Sequence, residues 1–411
     1  MTTRLDSHRP PELSSTPDGP MLEVHGLTVV ASDEGAPVEL VSDISFALHA
    51  GRTLALVGES GCGKSVTALS LLRLLPRRTL RIASGSIVLR PRDAKEQAVD
   101  VAALPERALA DVRGGRIGMI FQEPMTSLHP LKTIGEQAAE GVRRHLKTGR
   151  SATDERVECW LARVGLEPAK SCARRYPHEL SGGMRQRAMI AAALACEPDV
   201  LVADEPTTAL DASVQAQVLR LLRDVQRDTG PAILLITHDF GVVAEAADDV
   251  AVMYAGRIVE RGPTSFVMSH PCHPYTRALL ECIPRPGVAG AQRLRTIPGR
   301  VPLPTAYPAG CRFHPRCAVS RGWAESSGTS SGIVEIEPGV RVLRRCVFGD
   351  AVAEGRPPAP SPPWIAVGPE HEAACWEIGA STLGQIPDLA EYEVSGDFAG
   401  KRGIHRLKPG Q

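Results

Sequence analysis

The chain has 411 residues, which at roughly 100–200 residues per domain is enough for two or three domains. Lys plus Arg and Asp plus Glu are 47 each, so the formal net charge is zero, which excludes a chain held on nucleic acid mainly by bulk charge. Hydrophobic residues at 43% exclude a largely disordered protein, and aromatics at only 4% make the expected core aliphatic.

In chain order, residues 1–20 are polar and proline-containing and read as a flexible tail rather than a secretory leader. Met21–Val30 alternates apolar and polar residues, and Val41–Leu48 is a second strand pattern. Together they predict a small N-terminal antiparallel sheet. Thr53–Val57 (TLALV) is a continuous apolar run ended by glycine, followed by an apolar helix pattern. Val200–Ala203 and Ile233–Ile236 are two further runs of this buried-strand type. Long helical stretches separate the three runs, so an α/β core with a parallel sheet is expected. Residues 131–181 read as an inserted helical subdomain. After Gly262 Pro and Gly become frequent, and a smaller, irregular C-terminal extension is expected over residues 263–411. Ser326–Gly332 and Arg356–Pro363 read as loop or linker within it. The longest apolar stretches fall well short of the ~20 residues of a spanning helix, which points to a cytosolic chain with its ten cysteines as free thiols or metal ligands.

Three stretches carry chemistry. Gly58-Glu-Ser-Gly-Cys-Gly-Lys-Ser65 fits the spacing of a loop whose backbone amides converge on phosphate oxygens at a helix N-terminus. Gly58, Ser60, Gly61 and Gly63 would shape it, Lys64 would reach the outer phosphates and the Ser65 hydroxyl would bind Mg2+. The apolar strand before it and the apolar helix after it favour this over an ordinary glycine-rich turn. Asp204-Glu205 closes the apolar run Val200–Ala203, which puts two carboxylates at the carboxyl edge of the sheet. Asp204 is expected on Mg2+ and Glu205 as the general base on the attacking water. Ser181-Gly182-Gly183 predicts a helix cap with room for close backbone approach, a second anion-facing helix start.

Taken with Gln122, Ala209-Leu210-Asp211 and His238 in this order, these residues resemble the ATP-binding-cassette (ABC) ATPases, a P-loop NTPase fold, over about residues 21–262. The resemblance implies ATP as substrate and Mg2+ as its cofactor. It places Ser181, Gly182 and Gly183 against the nucleotide of a second ATPase subunit, identical or different. It makes Gln122 a Mg2+ contact and catalytic residue that couples to a membrane partner, His238 a γ-phosphate contact, and Asp211 part of a loop that communicates across the dimer. On its own Asp211 is a helix N-cap, and both roles can hold. The family's adenine-stacking aromatic is absent, with Ala31 near its expected place, so the adenine contact is left unassigned.

Phe121–Pro130, the stretch LSGGMRQR, His273–Leu280 and Gly310–Cys317 resemble the oligopeptide/dipeptide/nickel importer group. That resemblance implies import of peptides or a related small solute, two integral membrane permease subunits, an extracytoplasmic solute-binding protein, and a peripheral place on the cytoplasmic face of the membrane, with no nucleic acid. The alternatives are the ATPase of an ABC exporter, or a soluble ABC ATPase acting on nucleic acid. Some members of the group bind a [4Fe–4S] cluster through four cysteines in the extension. Here Cys311, Cys317, Cys346 and Cys375 are the candidate set; the other readings are unligated thiols and zinc, which the absence of C-x-x-C pairs disfavours. Cys62, Cys159, Cys172, Cys196, Cys272 and Cys282 read as packing or surface thiols.

Overall fold

The structure is a computed structural model that describes residues 19–31, 37–91, 97–208, 210–283, 296–326, 333–337, 340–348, 361–362, 364–368 and 370–375. The expected tail before residue 19, Ala209, most of both expected linkers and residues 376–411 lie outside the described residues.

The strands in chain order are β1 (Leu22–Ala31), β2 (Val38–Leu48), β3 (Thr53–Val57), β4 (Leu80–Leu89), β5 (Val99–Asp100), β6 (Ile117–Ile120), β7 (Val200–Asp204), β8 (Ala232–Thr237), β9 (Asp249–Tyr254), β10 (Arg257–Pro263), β11 (Ile333–Glu337), β12 (Val340–Leu343), β13 (Trp364–Gly368) and β14 (His371–Ala374). An antiparallel sheet of order β2-β1-β4-β5 uses the alternation seen in the sequence. Its inward Leu22, Val24, Leu27, Val29, Ile44 and Leu48 are buried against the main core. The main sheet has the order β13-β14-β10-β9-β3-β8-β7-β6. β9, β3, β8, β7 and β6 run parallel. β7 and β8 are buried at every residue, as continuous apolar runs covered on both faces should be.

Between β6 and β7 the chain makes helices Ile134–Leu146, Arg150–Arg163, Ala169–Ala173 and Gly182–Leu194. Thr133 starts the first with a reciprocal cap: its hydroxyl accepts from the Glu136 amide and the Glu136 carboxylate accepts from the Thr133 amide. Trp160, Leu161, Val142 and Met189 share one apolar cluster with Leu201, Ile233 and Leu235, so these helices rest on one face of the main sheet.

Among the described residues after Gly262, two strands join that sheet. β14 pairs antiparallel with β10, Glu260 opposite Ala373, and β13 pairs with β14, so the extension adds two strands to the sheet's edge. No helix among the described residues is long and apolar enough to cross a membrane.

Candidate nucleotide site and cysteine pocket

Strand register assembles the first site. Val57 of β3 lies opposite Thr237 of β8, Ile236 opposite Asp204 of β7, and Ala203 opposite Ile120 of β6. The residues that follow each strand therefore leave the sheet at one carboxyl edge: Gly58, His238, Glu205 and Gln122. This is the edge where open parallel sheets bind ligands.

Gly58–Ser65 turns from β3 into the helix Lys64–Leu71. A Cβ on Gly58 would lie 2.1 Å from the Met253 carbonyl oxygen, and Gly63 has φ +109° with Met253 Cε 2.8 Å from where its Cβ would be. A side chain at position 58 would force the loop off β9, and one at position 63 would be strained by the positive φ. Ser60 and Gly61 are exposed, whereas Cys62 is fully buried and packs in the core. Lys64 is 5% exposed and folds back on the loop, its Nζ donating to the carbonyls of Gly58 (2.7 Å) and Glu59 (3.1 Å). The Ser65 hydroxyl donates to Asp204 Oδ1 at 3.2 Å, so these two expected Mg2+ ligands touch. Burial pushes the Asp204 carboxyl up. The Ser65 hydrogen bond and the Lys64 charge oppose this, and the Glu205 charge adds to it. A divalent cation between Ser65 and Asp204 would meet a buried carboxylate short of positive partners, so the donor set fits Mg2+.

Glu205 gathers three side chains. Thr208 Oγ1 donates to its Oε2 at 2.8 Å, Gln122 Nε2 to the same oxygen at 3.3 Å, and His238 Nδ1 lies 3.3 Å from Oε1. Gln122 therefore lies on the expected base, and no hydrogen bond joins it to Ser65 or Asp204 among the described residues. Glu205 has φ +47°, a left-handed turn that takes the chain off the strand while its amide still donates to Ile236 O at 3.0 Å. Thr208 was not singled out in the sequence. It has no local signal beyond its three-residue spacing from Glu205.

Ser181 caps the helix Gly182–Leu194 by accepting from the Met184 amide at 3.3 Å. A Cβ on Gly182 would meet nothing within 4 Å, so this helix start is open in the single chain. Buried Gln186 of the same helix donates to Pro206 O at 2.7 Å, which ties the capped helix to the Glu205 turn. Asp211 caps the helix Ala212–Thr229, accepting from the Ser213 and Val214 amides at 3.0 Å each.

The second site lies in the extension. Cys311 and Cys317 from one loop, Cys346 from a second segment and Cys375 from a third line one pocket together with His273 and His314. None of the ten cysteines is in a disulfide. Burial pushes the Cys311 thiol well up, and the neighbouring Cys375, Cys346 and Cys317 push the same way. Four thiolates thus cannot share this pocket without a positive partner. His273 is buried, its Nδ1 accepts from the Tyr275 amide at 3.1 Å, and burial pushes it down to about 4, so the neutral ring carries its proton on Nε2. That Nε2 is buried with no hydrogen-bond partner. A sulfur-rich group in the pocket would give it an acceptor, so the residues present fit a thiolate-ligated metal group. Beside the pocket, fully buried Glu260 accepts from the amides of Cys272 (2.8 Å) and His273 (2.9 Å) and from His371 Nε2 (2.8 Å), which joins the HPYT turn to β14. Of the other cysteines, Cys62, Cys172, Cys196 and Cys272 are buried, Cys282 is half-buried and Cys159 is exposed.

Residues 41–208 match the family described as ABC transporter, and residues 259–322 match the oligopeptide/dipeptide transporter C-terminal region. The chain is similar to a Brucella ovis protein provisionally named a peptide import ATP-binding protein, 51% identical over 306 residues that are 73% of this chain and 90% of that one. It is similar to the dipeptide transport ATP-binding protein DppD of Bacillus subtilis, 45% identical over 72% of this chain and 86% of that one. Among solved structures, the dimeric ATP-binding cassette MJ0796 bound to ADP and Pi superposes with TM-score 0.52 and 23% identity over 59% of this chain and 99% of that one, a likeness of fold.

Proposed function

Since the chain belongs to the ATP-binding subunits of ABC transporters and carries the C-terminal region of the oligopeptide/dipeptide branch, we propose that it hydrolyses ATP to power import of di- or oligopeptides, or a related small solute, through partner permeases. The phosphates would lie on Gly58–Ser65, where Lys64 exchanges its loop carbonyls for phosphate oxygens. Ser65 and Asp204 would hold Mg2+, which when bound neutralises phosphate charge. Glu205 would take the proton of the attacking water as its oxygen bonds the γ-phosphorus and the bond to ADP breaks. Gln122, Thr208 and His238 would hold the Glu205 carboxylate in place, and His238 would also face the γ-phosphate. The observation that carries this reading is the meeting of Gln122, Thr208 and His238 on Glu205, at the sheet edge that also bears the phosphate loop.

Ser181, Gly182 and Gly183 would close on the nucleotide of a second ATPase subunit, and their open helix start supports this. The Gln122 segment would pass the closure to two integral membrane permeases, and the chain would lie on the cytoplasmic face with cargo delivered by an extracytoplasmic solute-binding protein. The match over residues 259–322 favours import over export and over a nucleic-acid role. The finer cofactor reading is a [4Fe–4S] cluster on Cys311, Cys317, Cys346 and Cys375. It is supported by their shared pocket and by the unpartnered His273 Nε2. When bound, such a cluster supplies a rigid covalent tie between segments far apart in sequence.

The test is reconstitution with the permeases in vesicles, with the solute-binding protein supplied on the side opposite the ATPase. Uptake of labelled di- and oligopeptides should require ATP and be abolished by Lys64→Ala. Peptide uptake that persists in Lys64→Ala, or an assembled complex that hydrolyses ATP with no peptide uptake, would overturn the reading.

A further inference from the structure

The second residue of the phosphate loop is an acid, Glu59, and the partners of its carboxylate and amide come from the C-terminal segment rather than from the cassette. Arg316, 6% exposed at its side chain, grips the Glu59 carboxylate with both terminal nitrogens, Nη1 to Oε2 at 2.7 Å and Nη2 to Oε1 at 3.0 Å. The Tyr275 hydroxyl accepts from the Glu59 backbone amide at 2.9 Å. The Glu59 carbonyl accepts from Lys64 at 3.1 Å, so all three polar groups of this residue are fixed.

The two holding residues are themselves rigid. Tyr275 is fully buried, and its ring lies 4.6 Å from that of Tyr254 and 5.2 Å from that of Phe313, centre to centre. Arg316 also donates through Nε to Pro298 O at 2.8 Å and through Nη1 to Tyr254 Oη at 3.3 Å. Arg316 precedes Cys317, and at the other end of the same loop buried Arg312 donates to Ala255 O and to Ser42 Oγ (2.9 Å), anchoring the loop to the cassette.

We propose that Arg316 and Tyr275 are positioning residues of the nucleotide site: they hold the phosphate loop by Glu59 and neutralise its carboxylate, so that the C-terminal segment completes the loop on which ATP is bound. This rests on the reading of Gly58–Ser65 as the nucleotide loop. The physical need is electrostatic. A carboxylate on a loop that cradles phosphates repels the ligand, and a bidentate guanidinium cancels that charge while fixing the loop's shape.

The experiment measures equilibrium binding of Mg·ATP to the purified full-length chain, with the thermal midpoint of the nucleotide-free protein read in parallel. Lys64→Ala is the control for the parent reading, and its affinity should collapse. Tyr275→Phe, which removes one oxygen, should weaken binding about three- to tenfold. Arg316→Ala should weaken it by roughly 10- to 100-fold. Adding Glu59→Gln to Arg316→Ala should recover most of that loss by removing the unneutralised charge. A role confined to folding would lower the thermal midpoint without changing affinity, and charge removal would not rescue it. Binding of Tyr275→Phe and Arg316→Ala within twofold of the parent chain, with Lys64→Ala impaired, overturns this proposal alone. A double variant no tighter than Arg316→Ala overturns it too. Unchanged binding in Lys64→Ala overturns the loop assignment and the proposal with it. If Arg316→Ala does not fold, Tyr275→Phe decides by the same threshold.

Discussion

Replacing Glu205 with Gln isolates its proposed role as a base. The carboxylate accepts from Thr208 (2.8 Å) and Gln122 (3.3 Å) on Oε2 and lies 3.3 Å from His238 Nδ1 on Oε1. Glutamine has the same shape. Its carbonyl oxygen can keep the Thr208 and Gln122 donors while its amide nitrogen donates to His238 Nδ1 in the appropriate tautomer, so rearrangement costs at most about 1 kcal/mol. What disappears is a group able to take a proton. A positioned general base contributes about 10²–10⁴-fold, or about 3–5 kcal/mol of barrier at ~1.4 kcal/mol per decade. Phosphate release by the assembled transporter at saturating ATP should fall by at least about 10²-fold, while Mg·ATP affinity of the full-length chain stays within about threefold. Phosphate release within about tenfold of the parent, with unchanged affinity, would refute the base assignment. Loss of affinity in parallel would instead make Glu205 part of what holds nucleotide.

Two further predictions concern the extension. Protein purified without oxygen should be brown and carry iron and sulfide near four each per chain, and Cys346→Ser should lower both. Colourless, iron-free protein from that preparation would count against the cluster. Glu260→Ala would leave three buried donors, the amides of Cys272 and His273 and the His371 ring, without an acceptor. At ~1–3 kcal/mol per unmet donor, chemical unfolding should show a loss on the order of 3–9 kcal/mol, and a loss below about 1 kcal/mol would contradict the arrangement.

The parts of the fold legible in the sequence are those where one physical demand writes a local pattern. β3, β7 and β8 are covered on both faces, so they are unbroken aliphatic runs, and Gly58, Gly63 and Lys64 keep the spacing that a phosphate loop imposes. β6 escaped notice because IGMI is four residues long and lies beside loops of mixed polarity. β14 escaped because its partner β10 is about a hundred residues earlier, and β13 because it joins the sheet only through β14; nothing in WIAVG or HEAA names either pairing. The same holds for the site. Glu205 and His238 end apolar strands and announce themselves, whereas Thr208, Gln186 and Tyr275 act through contacts that only the folded chain creates. Glu59 occupies a position where the loop's spacing permits any residue, and its partner Arg316 lies 257 residues away.

That last pair bears on how the nucleotide loop balances its charge. In the free chain the buried Lys64 ammonium is satisfied by two neutral carbonyls, those of Gly58 and Glu59. Binding a triphosphate replaces neutral acceptors with charged ones, which strengthens each hydrogen bond and favours the exchange. An unpaired Glu59 carboxylate on the same loop would work against it, because it attracts Lys64 and repels the phosphates. Arg316 counters both effects by taking the carboxylate into a bidentate pair. The loop's own sequence supplies the shape and the lysine, but its charge balance is set by an arginine next to one of the four pocket cysteines. A perturbation that displaces the loop Cys311–Cys317 should therefore reach ATP affinity before it reaches the Glu205 hydrolytic cluster, which shares none of these contacts.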